Sequence, residues 1–179
     1  MARIVWPKPW YSNLWAPWRM AYIKSHGERR GCVFCEAPNM GVNPESLVVY
    51  KGARNYVILN KYPYNSGHLM VVPYRHVSRL EDLTVEELAE MMILVRASVK
   101  ALKKAYKPHG FNIGMNLGEA AGAGIADHLH MHIVPRWVGD TNYMTITAGA
   151  KVIPQSLEEA WKVLKPLVEE AVREEAQEK

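Results

Sequence analysis

Five short runs of apolar residues, each about the length of a β-strand, are bounded by turn residues along the chain. The predicted strands cover residues 47–50, 56–59, 68–72, 111–117 and 128–134. The first two are separated by Lys-Gly-Ala-Arg-Asn, which predicts a hairpin, and Pro73 closes the third.

Capping residues and apolar positions at helical spacing predict a long helix after the third strand. Thr84 and Glu87 form a capping box that opens this helix, which we expect to end near Tyr106, ahead of Pro108 and Gly110. Its predicted core positions are Leu88, Met91, Met92, Val95, Val99 and Leu102.

A second capped helix is predicted near the end of the chain, where Glu159 follows Ser156 at the capping-box spacing. We expect Pro166 to kink or interrupt this helix, because proline removes a backbone donor and clashes with the preceding turn. The tail from Glu169 is expected to be frayed helix.

The length of 179 residues and a composition of 49% hydrophobic and 22% charged residues are those of a globular domain, not of a disordered or fibrous chain. We expect 1–179 to form a single α+β domain with an antiparallel sheet, in which 1–30 is an N-terminal arm and 155–179 the C-terminal helix and tail. No membrane-length apolar run or secretory signal is visible, and there are only two cysteines, so a cytoplasmic location without a membrane partner is expected.

The N-terminal arm is basic and aromatic, although the net charge of the whole chain is only +4. It holds six basic side chains against Glu28 alone, and four of the six tryptophans lie in its first 18 residues. So much aromatic surface favours packing on the chain's own domain or on a second subunit. A base-stacking surface is the alternative, but no nucleic-acid-binding signature occurs, and nucleic acid is not expected as a partner.

Three histidines alternate with apolar residues in the last predicted strand, as His128, His130 and His132. A strand places alternate side chains on one face, about 6.8 Å apart, so the three imidazoles share a face while Leu129 and Met131 turn to the other. A neutral imidazole can attack an activated phosphorus, and a neighbouring histidine can supply a proton to the leaving group. The pattern favours a histidine-nucleophile site over a solvent-facing strand or a three-histidine metal site.

Two further motifs carry candidate chemistry. The glycine-rich approach to the histidines, 114–125, lets the backbone come close to an anion, but it is neither a P-loop nor a dinucleotide fingerprint. Cys32 and Cys35 form a Cys-x-x-Cys motif, compatible with a redox pair, half of a zinc site or two buried thiols. The βαβ pattern typical of a redox pair is missing, and His76 with one of the three histidines would complete a tetrahedral zinc site.

The segment 128–134, His-Leu-His-Met-His-Ile-Val, resembles the signature of the histidine triad (HIT) superfamily of nucleotidyl transferases and hydrolases. Residues 60–73 are similar to an upstream motif of that family, and the resemblance covers at least 32–137. It implies a HIT-like fold with a five-stranded antiparallel sheet, one long central helix and a C-terminal helix, in a homodimer that joins two sheets.

The resemblance also implies roles for individual residues. His130 would be the nucleophile that takes a nucleoside monophosphate, His132 would contact the phosphate, and His68 would support the site from the adjoining strand. His128, the first member of the triad, would also belong to the catalytic residues. The implied nucleotide-binding residues are Phe34 at the base, Asn60 at the ribose hydroxyls, and Asn116, Gly122 and Gly124 along the phosphates. No metal is implied at the phosphorus, but some members carry a structural zinc, for which the matching ligands are Cys32, Cys35, His76 and His128.

Part of the sequence departs from the general family pattern. Residues 123–127, Ala-Gly-Ile-Ala-Asp, lack the Gln, Ser or Thr that many members use to bind phosphate, so that donor must come from the backbone or elsewhere. Asp127, the continuation 135–144 and the N-terminal 14–20 are similar to the branch that includes diadenosine polyphosphate phosphorylases. Arg136 is either a forked contact to a phosphate or a surface arginine after a strand.

These features lead us to expect cleavage of a dinucleoside polyphosphate, such as diadenosine tetraphosphate, with phosphate as the acceptor and a nucleotidyl-His130 intermediate. Hydrolysis of the same substrates, or of a nucleoside phosphoramidate, is the close alternative. A non-catalytic, zinc-stapled protein that binds purine nucleotides is the alternative from a different class. The sequence leaves the acceptor and the preferred base open.

Overall fold

The computed structural model describes residues 31–141, 143–148 and 150–177. By their contacts the described residues divide into two units, one of 31–140 with 153–177 and one that contains 141, 143–148 and 150–152. The N-terminal arm, with the similarity at 14–20, lies outside the described residues. The expectation of a single domain stays a prediction.

The described part of the chain contains four α-helices and five strands. The helices are α1 (Val33–Glu36), α2 (Val85–Tyr106), α3 (Tyr143–Thr147) and α4 (Leu157–Gln177), and the strands are β1 (Val48–Lys51), β2 (Asn55–Leu59), β3 (Leu69–Pro73), β4 (Gly110–Gly114) and β5 (Met131–Arg136). The short helix α3 belongs to the smaller unit, and all the other elements belong to the larger one. No helix in the described ranges is both long and apolar enough to cross a bilayer.

The five strands form one antiparallel sheet in the order β1-β2-β3-β5-β4. The predicted hairpin is the β1–β2 pair, and the predicted α+β class with a five-stranded antiparallel sheet is confirmed. The chain leaves the sheet after β3 to form α2 and returns as β4, at one edge, and then as β5, which lies between β3 and β4.

The two faces of the sheet have different neighbours because successive side chains of a strand point to opposite sides. Leu69, Val71 and Ile133 belong to the main core, which also contains the buried sides of α2 and α4. Ile58 and Met70 point to the opposite face, where they form a second buried cluster with Phe34 and Tyr56. Both long helices, α2 and α4, therefore cover one face of the sheet. The opposite face, which carries Phe34 and Met70, is not covered by them.

The central helix begins as predicted, with a complete capping box. The Thr84 hydroxyl accepts from the Glu87 backbone N–H at 3.2 Å, and the Glu87 carboxylate accepts from the Thr84 N–H at 2.7 Å. The assignment of Met92 to the core was wrong, since its side chain is 53% exposed while Met91 is buried. Adjacent helix positions differ by about 100°, and the buried stripe follows Met91, not its neighbour.

The C-terminal helix α4 is longer and better packed than the sequence predicted. Pro166 lies inside it without interrupting it, and Val168 and Ala171 are buried against the core side of the molecule. Near its end, the buried carboxylate of Glu175 lies 2.7 Å from the Lys100 ammonium of α2. The expectation of frayed helix from Glu169 was therefore wrong, because the buried stripe of the helix continues to Glu175.

Two strand boundaries differ from the prediction on the site side of the sheet. The ladder between β4 and β5 ends where Gly114 pairs with His132, so β4 stops three residues before the predicted end at Leu117. β5 begins at Met131, three residues after the predicted start at His128, and the Leu129 N–H donates to the Val77 carbonyl at 2.7 Å. The alternation of side-chain direction nevertheless continues back through Leu129, which lies in the main core.

Candidate active site and metal centre

The three histidines of the triad, His128, His130 and His132, lie on the face of the sheet opposite the long helices. His128 and His130 are buried, and His132, whose ring centroid is 4.7 Å from that of His130, is half-buried. Leu129 and Ile133 belong to the main core on the other side. The chain thus brings the imidazoles together by the alternation read from the sequence, although only His132 lies within the assigned strand.

A backbone carbonyl determines the protonation of His130. Its Nδ1 lies 2.9 Å from the carbonyl oxygen of His128. Because a carbonyl can only accept, Nδ1 carries the proton and the lone pair of the neutral ring is on Nε2. Burial lowers the pKa of His130, partly offset by this hydrogen bond, so the ring is neutral at pH 7. His130 therefore offers a nucleophilic Nε2.

A backbone N–H determines the protonation of His68 and, through it, of His132. Nδ1 of His68 lies 3.1 Å from the backbone N–H of Tyr64, so it must accept, and the proton of this ring is on Nε2. That Nε2 lies 2.9 Å from Nδ1 of His132. Nδ1 of His132 therefore accepts in turn, which leaves a proton on its Nε2 and makes His132 a hydrogen-bond donor.

The pair formed by His68 and His132 is uncharged at neutral pH. Burial, followed by repulsion from His132 and His130, lowers the pKa of His68 to about 3. Burial and repulsion from His130 lower the pKa of His132 to about 4. Desolvation disfavours the charged imidazolium, so His132 is a hydrogen-bond donor in its neutral form.

Phe34 forms an aromatic boundary of the site next to His130. Its ring centroid is 5.0 Å from that of His130 and 5.6 Å from that of His128. The backbone of Phe34 is fixed by the Tyr56 hydroxyl, which donates to the Phe34 carbonyl at 2.6 Å. Its place beside His130 and over the apolar Ile58 and Met70 is compatible with the predicted contact to a base; that contact stays a prediction.

The four predicted metal ligands, Cys32, Cys35, His76 and His128, form a cluster whose ligand atoms all lie within 4.8 Å of one another. Nδ1 of His128 is 3.3 Å from Sγ of Cys32 and 3.6 Å from Sγ of Cys35, and Nδ1 of His76 is 3.4 Å from Sγ of Cys35. In a tetrahedral zinc site, with Zn–S near 2.3 Å and Zn–N near 2.1 Å, sulfur and nitrogen ligands are about 3.6 Å apart. The donor set and its spacing fit zinc.

His128 is already oriented for metal binding by its second ring nitrogen. Nε2 of His128 lies 2.9 Å from the carbonyl of Pro73 and therefore carries the proton, which leaves the Nδ1 lone pair directed at the cysteines. The carbonyl of the same residue accepts from His130. His128 thus belongs to the candidate metal cluster through its side chain and contacts His130 through its backbone carbonyl.

The predicted ribose contact, Asn60, lies beside His68. Its Nδ2 is 3.3 Å from Nδ1 of His68, and its Oδ1 accepts from the Tyr62 backbone N–H at 2.9 Å. The amide therefore supports the same acceptor nitrogen as the Tyr64 N–H. A ribose contact by Asn60 stays a prediction.

The predicted phosphate contacts belong to the connection between β4 and β5. Asn116 is half-buried just after β4, and Gly122, with φ +81°, ends a turn of 3-10 helix at Glu119–Ala121. Gly124 is exposed, and the next residue, Ile125, packs against the cluster that contains Phe34. The connection thus returns to the site face, and its contacts to phosphate stay a prediction.

Arg136 is held by protein side chains at the end of β5. Its Nε and Nη2 donate to the carboxylate of Asp140 at 2.6 and 3.0 Å, and its Nη1 donates to Oδ1 of Asn112 at 2.7 Å. Asp140 also accepts from the amide of the buried Asn65 at 2.8 Å. This arrangement favours the interpretation of Arg136 as a surface arginine over that of a phosphate clamp.

Sequence analysis missed two residues of the loop before β3. Asn65 is buried and donates to the Pro135 carbonyl at 2.9 Å as well as to Asp140. Tyr64 is 54% exposed and lies over the imidazoles of His68 and His132. The available signal was a tyrosine in a turn-rich segment four residues before a histidine, which by itself is weak.

Comparison with known proteins defines the class to which this fold and site belong. The model of the HIT domain matches residues 42–138, which is more than half of the chain. The chain therefore belongs to the HIT domain family, as the sequence resemblance implied.

Two similar proteins carry the names of enzymes that act on dinucleoside polyphosphates. A Mycobacterium tuberculosis protein named AP-4-A phosphorylase is 48% identical over 160 residues, which are 85% of this chain and 82% of that protein. A Schizosaccharomyces pombe protein named bis(5'-nucleosyl)-tetraphosphatase (asymmetrical) is 36% identical over 95 residues, 53% of this chain and 52% of its own length.

A solved structure supports both the fold and the metal cluster. The zinc-bound histidine triad family protein from Mycobacterium smegmatis superimposes with a TM-score of 0.63, at 26% sequence identity. The match covers 78% of this chain and 94% of that protein. A member of the same family thus carries zinc.

Proposed function

We propose that this protein is a nucleotidyl transferase that cleaves dinucleoside polyphosphates through a covalent nucleotidyl-His130 intermediate. The observation that carries the proposal is the opposite protonation of two adjacent rings: His130 has its lone pair on Nε2, whereas His132 has a proton there. The names of the two relatives support dinucleoside polyphosphates as the substrate class.

In the first step, Nε2 of His130 attacks the phosphorus next to one nucleoside. A nitrogen–phosphorus bond forms, and the bond to the bridging oxygen breaks, so that diadenosine tetraphosphate would release ATP and leave AMP on the ring. The Nε2–H of His132 stabilises negative charge that develops on the phosphoryl or leaving oxygen. The His128 carbonyl stabilises the positive charge that the His130 ring acquires.

In the second step, an acceptor oxygen attacks the same phosphorus and His130 leaves as a neutral ring. With inorganic phosphate as acceptor the product is ADP, and the reaction is phosphorolysis. With water the product is AMP, and the reaction is hydrolysis. The 48% identity over most of the chain to a protein named as a phosphorylase favours phosphate.

We also propose that the Cys32–Cys35–His76–His128 cluster holds a structural zinc. Zinc bound there would cross-link α1 to the segment that follows β3 and to the first residue of the triad. No step of the reaction requires a metal at the phosphorus. A cytoplasmic location stays a prediction from the sequence.

A homodimer that joins two sheets is part of this proposal. On the outer side of β4 the described residues supply no partner strand, and Ile113 is 45% exposed there. The opposite edge, β1, is covered by α4, whose Trp161 donates through Nε1 to the Val48 carbonyl at 2.7 Å. An open edge strand with an exposed apolar side chain is suited to pairing with a second copy. Its test is the molar mass in solution of the wild type and of Ile113→Lys.

The experiment that tests the function is turnover of diadenosine tetraphosphate with and without inorganic phosphate, with the products separated. We expect ADP and ATP in equal amounts when phosphate is present. Mass spectrometry of protein quenched early, without phosphate, should find adenylate on the peptide that contains His130. His130→Asn should reduce turnover by about 10³-fold or more and abolish the adduct.

The alternative function is that of a purine-nucleotide-binding protein without catalysis. The cluster of four zinc-type ligands next to the histidines supports it, because a structural metal serves a binding protein equally well. That function predicts nucleotide binding, no adduct on His130 and no turnover with either phosphate or water. Turnover with water alone would instead identify a hydrolase and correct only the proposed acceptor.

A further inference from the structure

We propose that Tyr64 is a positioning residue, which holds the His68–His132 pair in the arrangement that leaves a proton on Nε2 of His132. Its backbone and its ring act on the pair separately. The inference deepens the proposed function, on which its meaning for catalysis rests.

The backbone of Tyr64 fixes the first ring of the pair. Its N–H donates to Nδ1 of His68 at 3.1 Å, and this donor cannot change into an acceptor. The Asn60 amide, 3.3 Å from the same nitrogen, adds a second donor. His68 is thereby held with its proton on Nε2, directed at Nδ1 of His132.

The ring of Tyr64 contacts both imidazoles of the pair. Its centroid is 4.7 Å from that of His68 and 5.8 Å from that of His132, with an angle of only 29° between the planes in the second contact. Tyr64 is 54% exposed, whereas His68 is fully buried. The tyrosine ring therefore lies between the hydrogen-bonded pair and water.

The loop that carries Tyr64 is anchored directly after it. Asn65 is buried and tied to the Pro135 carbonyl and to Asp140. Gly67 has φ +75°, and a Cβ there would come within 2.7 Å of the Tyr106 ring, so only glycine fits this close approach. An exposed tyrosine on an anchored loop has a fixed place, as a positioning role requires.

The surroundings of His132 make the ring of Tyr64 important for its protonation. The titratable groups in ring contact with His132 are His68, His130 and Tyr64, and β4 places Gly114 opposite it. None of these partners is an anion that would stabilise an imidazolium. Exclusion of water is therefore what keeps His132 neutral, and Tyr64 supplies part of that exclusion.

The test is nitrogen NMR of the imidazole rings in the full-length, metal-loaded protein, because ring-nitrogen shifts report which nitrogen carries the proton. In the wild type, His132 should stay neutral with its proton on Nε2 down to about pH 5. In Tyr64→Leu the titration midpoint of His132 should rise by about one pH unit. Tyr64→Phe keeps the ring and should titrate as the wild type does.

Steady-state kinetics adds a second readout. With diadenosine tetraphosphate we expect Tyr64→Leu to lower kcat about tenfold with little change in KM, and Tyr64→Phe to restore most of the loss. Tyr62→Leu, which removes a similarly exposed tyrosine from the same loop, is the matched control and should shift His132 less. Thermal unfolding of each variant establishes that it is folded.

An unchanged His132 titration in folded Tyr64→Leu would overturn the inference, and so would equal shifts in Tyr64→Leu and Tyr62→Leu. The NMR result does not depend on turnover. A shifted titration in a protein that cleaves no dinucleoside polyphosphate would contradict the proposed function and leave the positioning role supported.

Discussion

Nε2 of His68 lies 2.9 Å from Nδ1 of His132. Because the Tyr64 backbone N–H fixes the protonation of His68, this hydrogen bond also fixes the protonation of His132 on β5, although Tyr64 lies in the loop before β3. The neighbouring His130 is fixed by a backbone carbonyl instead. A backbone N–H and a backbone carbonyl thus place the proton on different ring nitrogens of His132 and His130. One ring presents a lone pair and the other a proton.

The first prediction concerns the donor to His132. His68→Leu removes the N–H that Nδ1 of His132 accepts, so the proton of His132 is free to move to Nδ1 and its donor to the substrate is lost. We expect kcat for diadenosine tetraphosphate to fall about 10- to 100-fold, with a smaller change in KM. Steady-state kinetics at pH 7 measures both.

The control for this prediction is His68→Gln, whose side-chain amide can still donate to His132. It should retain clearly more activity than His68→Leu. Equal kcat values in His68→Leu and the wild type would show that the pairing does not set the role of His132.

The second prediction concerns stability against pH. The pKa values of His68 and His132, about 3 and about 4 in the folded protein, lie below the value near 6.5 expected in the unfolded chain. At these two sites the unfolded chain therefore binds more protons below pH 6.5, so their contribution to the free energy of unfolding should be fully present above that pH and fall below it. At pH 5 each group accounts for about 2 kcal/mol of the loss.

Urea unfolding at pH 7, 6 and 5 measures this effect. The wild type and His68→Gln should be compared, because the difference between them removes the contribution of every other titrating group. A loss of stability that is just as steep in His68→Gln would contradict the contribution assigned to His68.

The sequence predicted the parts of this protein that depend on local pattern. The alternation at 128–134 determines which side chains share a face, and the Thr84–Glu87 capping box is a signal within one helical turn. Cys32 and Cys35 could be joined to His76 and His128 from motif spacing and family resemblance together. Such signals act over a few residues or along one strand, and the structure preserves them.

What the sequence could not predict depends on contacts between distant segments. Arg136 contacts not only Asp140, four residues further along, but also Asn112 of β4, and only the fold brings Asn112 to it. The tail from Glu169 was expected to be frayed, but Lys100 of the central helix lies opposite the buried Glu175. Partner choice of this kind is decided by tertiary packing, and a single sequence does not show it.

The third prediction tests whether the C-terminal tail contributes to stability. Glu175 is buried and contacts Lys100 and Arg96 of the central helix. Glu175→Gln removes the carboxylate charge that these two cations face, and we expect the free energy of unfolding to fall by about 1–3 kcal/mol. Glu174→Gln changes the exposed neighbour and should cost no more than about 0.5 kcal/mol. Urea unfolding at pH 7 measures both, and equal effects in the two variants would contradict the packing of the tail.

The fourth prediction concerns the metal cluster. Purified protein should contain one zinc per chain, and Cys32→Ser should lose most of it, because the cluster would retain one thiolate and two imidazoles. Elemental analysis after gel filtration measures the content. His109→Ala removes an exposed histidine that is not one of the four ligands and should keep its zinc. Zinc retained fully in Cys32→Ser would contradict the assignment of the ligands.

Removal of the metal should also affect the site, because His128 contributes its Nδ1 to the cluster and its carbonyl to His130. A ligand present at a thousand times its Kd stabilises the folded state by about 4 kcal/mol, so chelation should lower the unfolding temperature markedly. Readdition of zinc should restore both the unfolding temperature and the fraction of His130 that is adenylated. If chelation lowers the unfolding temperature but the adduct forms at an unchanged rate, zinc serves the fold alone and the carbonyl of His128 is held in place by the hydrogen bond from its Nε2 to Pro73.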